Sequence, residues 1–229
     1  MLRRVLLLTI LLAVSACVGP PPEAPHRVYH HPVARTKPRA MPTPFALPSM
    51  NLAQCEGALT HSGAVYDVLP DQQFSPSCSA LGAVQMDDVA PGIPITNTKA
   101  LTCEAALPLA QWFSGSVQPA AQRWFGEPVV KLESMGTYAC RHIIGNAAYS
   151  YKISEHARAN AVDIGAFILA SGRRVSILNG WRGNADESGF LHEVHDAACQ
   201  HFITVLSPDY NAAHHNHLHF DMGGSHFCR

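Results

Sequence analysis

Ser154-Glu155-His156-Ala157-Arg158-Ala159-Asn160-Ala161-Val162-Asp163-Ile164 and His214-His215-Asn216-His217-Leu218-His219-Phe220-Asp221 are the two stretches around which the remaining chain is organised. Each joins a polar, histidine-bearing turn to a run of strand character. In the first, His156 belongs to a loop and Asp163 enters an extended apolar segment. In the second, His217 and His219 are two apart in an extended segment, so both point to one face. A loop that curls back lets His156 and Asp163 address one metal ion, through nitrogen and oxygen respectively. One histidine of the second pair completes the set while the other stands beside it. Two imidazoles and one carboxylate suit a tetrahedral zinc ion that keeps its fourth position for water and lowers the pKa of that water towards neutrality. A chain with 14 histidines also yields such pairs by chance, so spacing alone does not decide the matter.

Outward from these stretches, apolar periodicity sets the elements. Residues 159–169 are extended, and 174–178 form a further strand after a turn at Gly172. Helical spacing runs through 187–200 (Phe190, Leu191, Val194, Ala198), and 202–206 returns as a strand. Upstream, 129–135 reads as a strand turning at Gly136. A helix over 102–115 starts from Thr102 as N-cap, kinked or delayed by Pro108, and a second over 119–125 stops at Gly126. Residues 51–70 hold a short helix and an alternating piece at 64–69. The Pro- and Gly-punctuated segment 71–98 reads as irregular or short-stranded. Without a regular βαβ rhythm, this predicts an α+β domain with a central antiparallel sheet and flanking helices.

The 47% hydrophobic content is ample for one core, and a formal charge of −1 gives no sign of nucleic-acid binding. The first 16 residues combine Arg3 and Arg4, an apolar run from Val5 to Val14 and small residues before Cys17, the pattern of an export signal. Because the small pair is followed directly by cysteine, it resembles a bacterial lipobox with Cys17 as the lipid-bearing residue; a soluble secreted form is the alternative. Residues 17–48 are proline-rich and poor in large apolar side chains, hence a semi-extended tether in which His26, His30 and His31 are solvated. The domain is therefore expected over 49–229, with 10 Lys plus Arg against 16 Asp plus Glu.

Setting Cys17 aside leaves six cysteines, an even number that suits three disulfides in an exported chain. Ranked by the entropy of loop closure, the expected pairs are the sequential ones, Cys55–Cys78, Cys103–Cys140 and Cys199–Cys228. His192-Glu193-Val194-His195 has its histidines three apart rather than four. It does not fit the helical zinc motif and reads as a surface helix.

S-x-H-x(6)-D followed by H-x-x-H-x-H resembles the metallopeptidase group of lysostaphin, D-Ala-D-Ala peptidases and sonic hedgehog. With Tyr138-x-Cys140-Arg141 added, residues 52–228 are similar to the bacterial extensin-like C-terminal family, placed within that group. The resemblance implies a metallopeptidase-like fold, zinc as cofactor, His156, Asp163 and His219 as its ligands, and His217 as the catalytic histidine. It also implies His214 as an additional active-site histidine and Arg141 as the residue that steadies the substrate carbonyl or carboxylate. One departure stands out: dipeptidase-like members carry a glutamate base three residues before the last ligand, where this chain has Asn216.

Among neighbours, Asp221 is a candidate to hold a ligand imidazole from behind, and Glu155 is either such a residue or solvated. His215 is a bystander. Trp181 is read as core, with a cleft rim shared with Arg182 as the alternative. The expected function is an exported zinc hydrolase of peptidoglycan peptides, a periplasmic lipoprotein tied by its lipid to a membrane. Val18 is not the aspartate associated with inner-membrane retention, which favours the outer membrane. The rival is a zinc-bearing wall-binding lipoprotein without turnover.

Overall fold

The computed structural model describes residues 51–224 and 226–229. Cys17, the export signal and the tether lie outside the described residues. The first half of the domain comprises α1 (Leu52–His61), β1 (Val65–Val68), β2 (Gln72–Ser75), β3 (Cys78–Ala80), β4 (Ala83–Ala90), β5 (Ile93–Thr96), β6 (Leu101–Thr102), α2 (Cys103–Trp112) and α3 (Gln118–Phe125). The second half comprises β7 (Val129–Gly136), β8 (Ala161–Leu169), β9 (Arg174–Ser176), α4 (Ile177–Gly180), α5 (Ala185–Ala198), β10 (Thr204–Leu206), β11 (Leu218–Asp221) and β12 (Phe227–Cys228).

Ten strands form one sheet in the order β1-β4-β5-β7-β8-β11-β10-β12, with β6 against β4 and β9 against β8. The domain is α+β as expected, but the sheet is mixed rather than antiparallel: β5 runs parallel to β7, and β10 parallel to β12. The cause is the α2–α3 connection between β5 and β7, a crossover long enough to return the chain in the same direction. Segment 71–98 is richer in strand than expected, because Pro76, Gly82, Pro91 and Gly92 fall between strands, Pro94 is accommodated within β5, and the eight residues of β4 form one strand.

Helix α2 does not end at Gly115. A π-helical turn over Phe113–Val117 carries it directly into α3, and Gly126 then stops the rod in a left-handed conformation with φ 71°. This rod and α5 cover one face of the sheet. Trp112 sits at the centre of that core, fully buried, with its edge against Phe220 and its indole N–H donated to the carbonyl of Val194 at 2.8 Å.

The disulfides correct the sequential expectation at two of three bonds. Cys55 is joined to Cys103, not Cys78, and Cys78 to Cys140, so Cys103–Cys140 does not form either. Cys199 is joined to Cys228. Loop closure is a weak guide, since doubling a loop costs only about 0.6 kcal/mol. What decides the pairing is that α1 packs on α2, and β3 lies beside the segment that follows β7. The second bond thereby tethers the start of the loop carrying Arg141.

Gly189 of α5 lies under the indole of Trp124, and a Cβ there would come within 2.2 Å of the ring. The ring cannot simply swing aside, because Trp124 Nε1 is donated to the Glu193 carboxylate at 2.7 Å. Alanine is worth about 1 kcal/mol more than glycine inside a helix, but overpacking a rigid contact costs about 1–3 kcal/mol. Gly189→Ala is therefore expected to destabilise the domain, lowering the urea midpoint at unchanged slope.

Candidate metal centre

Three neighbouring strands build the centre. In the β8–β11 ladder Asp163 stands directly opposite His219, and on the other side of β8 it faces Gly136, the last residue of β7. His156 comes from a 3₁₀ turn, Glu155–Arg158, capped by Ser154 and closed by Ala159 in the left-handed region, φ 54°. That turn leads straight into β8, so the chain folds back and brings His156 over Asp163.

His156 Nε2 lies 3.2 Å from Asp163 Oδ2 and 3.2 Å from His219 Nδ1, while His219 Nδ1 lies 2.8 Å from Asp163 Oδ1. Donors held about 2.0–2.1 Å from a tetrahedral zinc would be about 3.3 Å apart, and the two imidazole nitrogens are near that separation. The far nitrogen of each ring is also fixed. His156 Nδ1–H is donated to the Thr137 carbonyl at 3.1 Å, and His219 Nε2–H to Asp221 Oδ2 at 2.9 Å. Asp221 is itself held by the amide of Gly223. Fixing the rear N–H in this way turns the other nitrogen into a ligand atom. The donor set fits a zinc ion, with His156 offering Nε2 and His219 offering Nδ1.

His217 and His214 flank the group. His217 Nε2 is 3.6 Å from Asp163 Oδ1, and its Nδ1–H is donated to Asn216 Oδ1 at 3.0 Å. His214 donates Nδ1–H to Asn211 Oδ1 at 2.8 Å, its ring 5.0 Å from that of His217. Both rings thus keep Nε2 for the groove. Arg141 is half-buried, lines the same cavity of about 880 Å³, and donates to the His142 carbonyl. The same loop, between β7 and the His156 turn, also contributes Ile144, Tyr149 and Tyr151 to the cavity, all three exposed. Asn146 of that loop donates to the Tyr210 hydroxyl at 3.2 Å, anchoring it beside the histidines.

Burial opposes ionisation of Asp163, but hydrogen bonds and charge from His156 and His219 outweigh it and hold the carboxyl well below its ordinary range. Burial likewise works against protonated His219, yet its bonds to Asp163 and Asp221 raise it to about 9. Burial and the neighbouring histidine charges lower His214 to about 4, and burial lowers His217. Because the folded pKa of His219 lies above its unfolded value of 6.5, its proton stabilises the metal-free fold below that pH, and this is lost as pH rises through about 9. A cation must displace the same proton, so affinity grows over the same window. The rise in melting temperature on adding zinc to chelator-stripped protein is accordingly expected to be larger at pH 8.5 than at pH 6. Thermal unfolding at the two pH values measures it.

The remaining candidates separate cleanly. His215 is exposed and bonds only its own turn. Glu155 lines the cavity, holding Arg158 and Asn160. Trp181 is core, 2% exposed, while Arg182 is exposed and pairs with Asp209. His192 and His195 are not a surface pair: His192 stacks on Trp181, and His195 is buried because α5 packs on the C-terminal disulfide. Its neighbours Cys199 and Cys228 are near enough to form a metal group with it, but their sulfurs are bonded to each other. Sequence reasoning missed the Thr137 carbonyl and the Tyr149–Tyr151 wall. A main-chain acceptor leaves no signature, whereas Tyr149 and Tyr151 are plain in the sequence.

Fold and site define a disulfide-stapled α+β domain with a His-Asp-His group at the base of a groove. The family described as Extensin-like protein C-terminus matches residues 53–229, and the chain belongs to it. No curated protein and no solved structure matches the chain.

Proposed function

We propose that this protein is an exported, zinc-dependent peptidase acting on the peptides of bacterial peptidoglycan, carried on a lipidated Cys17 and a proline-rich tether, with the outer membrane as its site. The observation that carries the reading is the approach of His156 Nε2, the Asp163 carboxylate and His219 Nδ1 to within 3.2 Å of one another, with both rear ring nitrogens anchored. Similarity of the two histidine stretches to the lysostaphin, D-Ala-D-Ala peptidase and sonic hedgehog group supports it.

A zinc ion held there supplies Lewis acidity towards a peptide carbonyl and a water acidic enough to react near neutral pH. The chain's own residues do the rest. His217, tautomer set by Asn216, presents Nε2 as a proton acceptor and returns that proton to the departing amine. His214 is kept neutral by burial and sits beside it as a further polar partner. Arg141 reaches the same cavity, where its guanidinium orients a carbonyl or carboxylate.

Asn216 in place of a carboxylate base favours one second reading, a zinc-bearing module that binds the wall without cutting it. Incubating the zinc-loaded protein with purified peptidoglycan and analysing released fragments by mass spectrometry separates the two. The expected result is release by peptide-bond hydrolysis, abolished by a chelator and restored by zinc. Co-sedimentation with the wall and no release would establish the binding module instead.

A further inference from the structure

A second cavity of about 430 Å³ reaches Asn216, the residue next to His217. Asn216 lines it, while His217, bonded to the Asn216 side chain at 3.0 Å, lines the main cavity. Neighbouring residues of one segment therefore line the two cavities. The topology explains the opening. Strand β11 pairs with β8 through Ile164, and β9 takes over the same edge from Ala166, so Gly165 has no register partner there. The crevice lies where the edge passes from one strand to the other. Asn216 precedes β11 on one side, and Ser176 and Asn179 follow β9 on the other.

Its walls combine amides and hydroxyls (Asn97, Asn179 and Asn216, with the buried Ser134 and Ser176) with the exposed apolar side chains of Met135 and Leu178. The one cation in the wall, Arg174, is already bonded to Glu133 at 2.7 Å. Such a lining matches the donors and acceptors of a neutral peptide backbone and offers no unpaired guanidinium for a chain-terminal carboxylate.

We propose that this crevice is a subsite for the backbone of an extended stretch of peptide, so that the substrate lies across His217 with one limb in each cavity. The inference rests on the peptidase reading and adds that the chain cut must continue on both sides of the scissile bond, as in a cross-linked pair of wall peptides.

The test uses the full, zinc-loaded chain with two probes prepared from purified peptidoglycan, a cross-linked muropeptide dimer and its uncross-linked monomer. Asn179→Trp fills the crevice from an exposed position, and Asn179→Ala leaves it open. In wild type, the dimer is expected to shift the side-chain amide resonances of Asn97 and Asn179, and the monomer to leave them in place. Asn179→Trp should lower kcat/KM for the dimer by about tenfold or more, with Asn179→Ala near wild type. Unmoved amide resonances with the dimer, or equal dimer cleavage by Asn179→Trp and wild type, would overturn the subsite. Absence of cleavage by wild type would count against the peptidase reading, and the resonance shifts would then still decide the subsite.

Discussion

Asp163→Ala is expected to abolish both zinc retention and wall digestion. Asp163 is the only carboxylate between two imidazole nitrogens 3.2 Å apart, and it touches both. Removing it takes away one ligand of three and leaves two basic nitrogens facing each other. Structural zinc sites bind with about 10–16 kcal/mol. Losing one of three protein ligands is therefore expected to cost about 4 kcal/mol, roughly a thousandfold in affinity. Equilibrium competition against a fluorescent zinc chelator measures this. The stripped variant should remain folded, because the Trp112 core lies on the other face of the sheet. A variant that keeps wild-type affinity would remove Asp163 from the centre.

His217→Ala separates binding from chemistry. His217 Nε2 stands 3.6 Å from Asp163, close to the group but not among the three atoms that converge. Zinc affinity should stay within a few-fold of wild type, because the rear supports of His156 and His219 are Thr137 and Asp221. Loss of a general acid–base group lowers turnover by about 10²–10⁴-fold. The fall is expected in kcat with KM nearly unchanged, the signature of an interaction made in the transition state. Digestion of purified wall at the parent rate would take the proton-transfer role from His217.

Much of this architecture is legible in the sequence. The extended run of β7 up to its turn at Gly136, the helical spacing of Phe190, Leu191 and Val194, and the His-x-His placement on one strand face all follow from local pattern. So did the reach of His156 back to Asp163, since one tight turn separates them. What local pattern does not carry is register and partner choice. That His219 stands opposite Asp163 is a property of two strands remote in sequence. The Cys55–Cys103 and Cys78–Cys140 bonds depend on helix and strand packing that loop entropy does not rank. Segment 71–98 reads as loop because its prolines and glycines resemble loop punctuation, although Pro76, Gly82, Pro91 and Gly92 fall between strands and Pro94 lies within β5. The Thr137 carbonyl that orients His156 is main chain, and any residue there would supply it.

The central claim is that His156, Asp163 and His219 bind a single zinc ion, and X-ray absorption at the zinc edge tests it most directly. Stripped protein reloaded with one equivalent should show nitrogen and oxygen neighbours alone at about 2.0–2.1 Å. It should also show the outer scattering of two imidazoles, reduced to one in His219→Ala. Sulfur at about 2.3 Å, pointing to His195 with Cys199 and Cys228, or failure to retain one equivalent of zinc, would contradict the account.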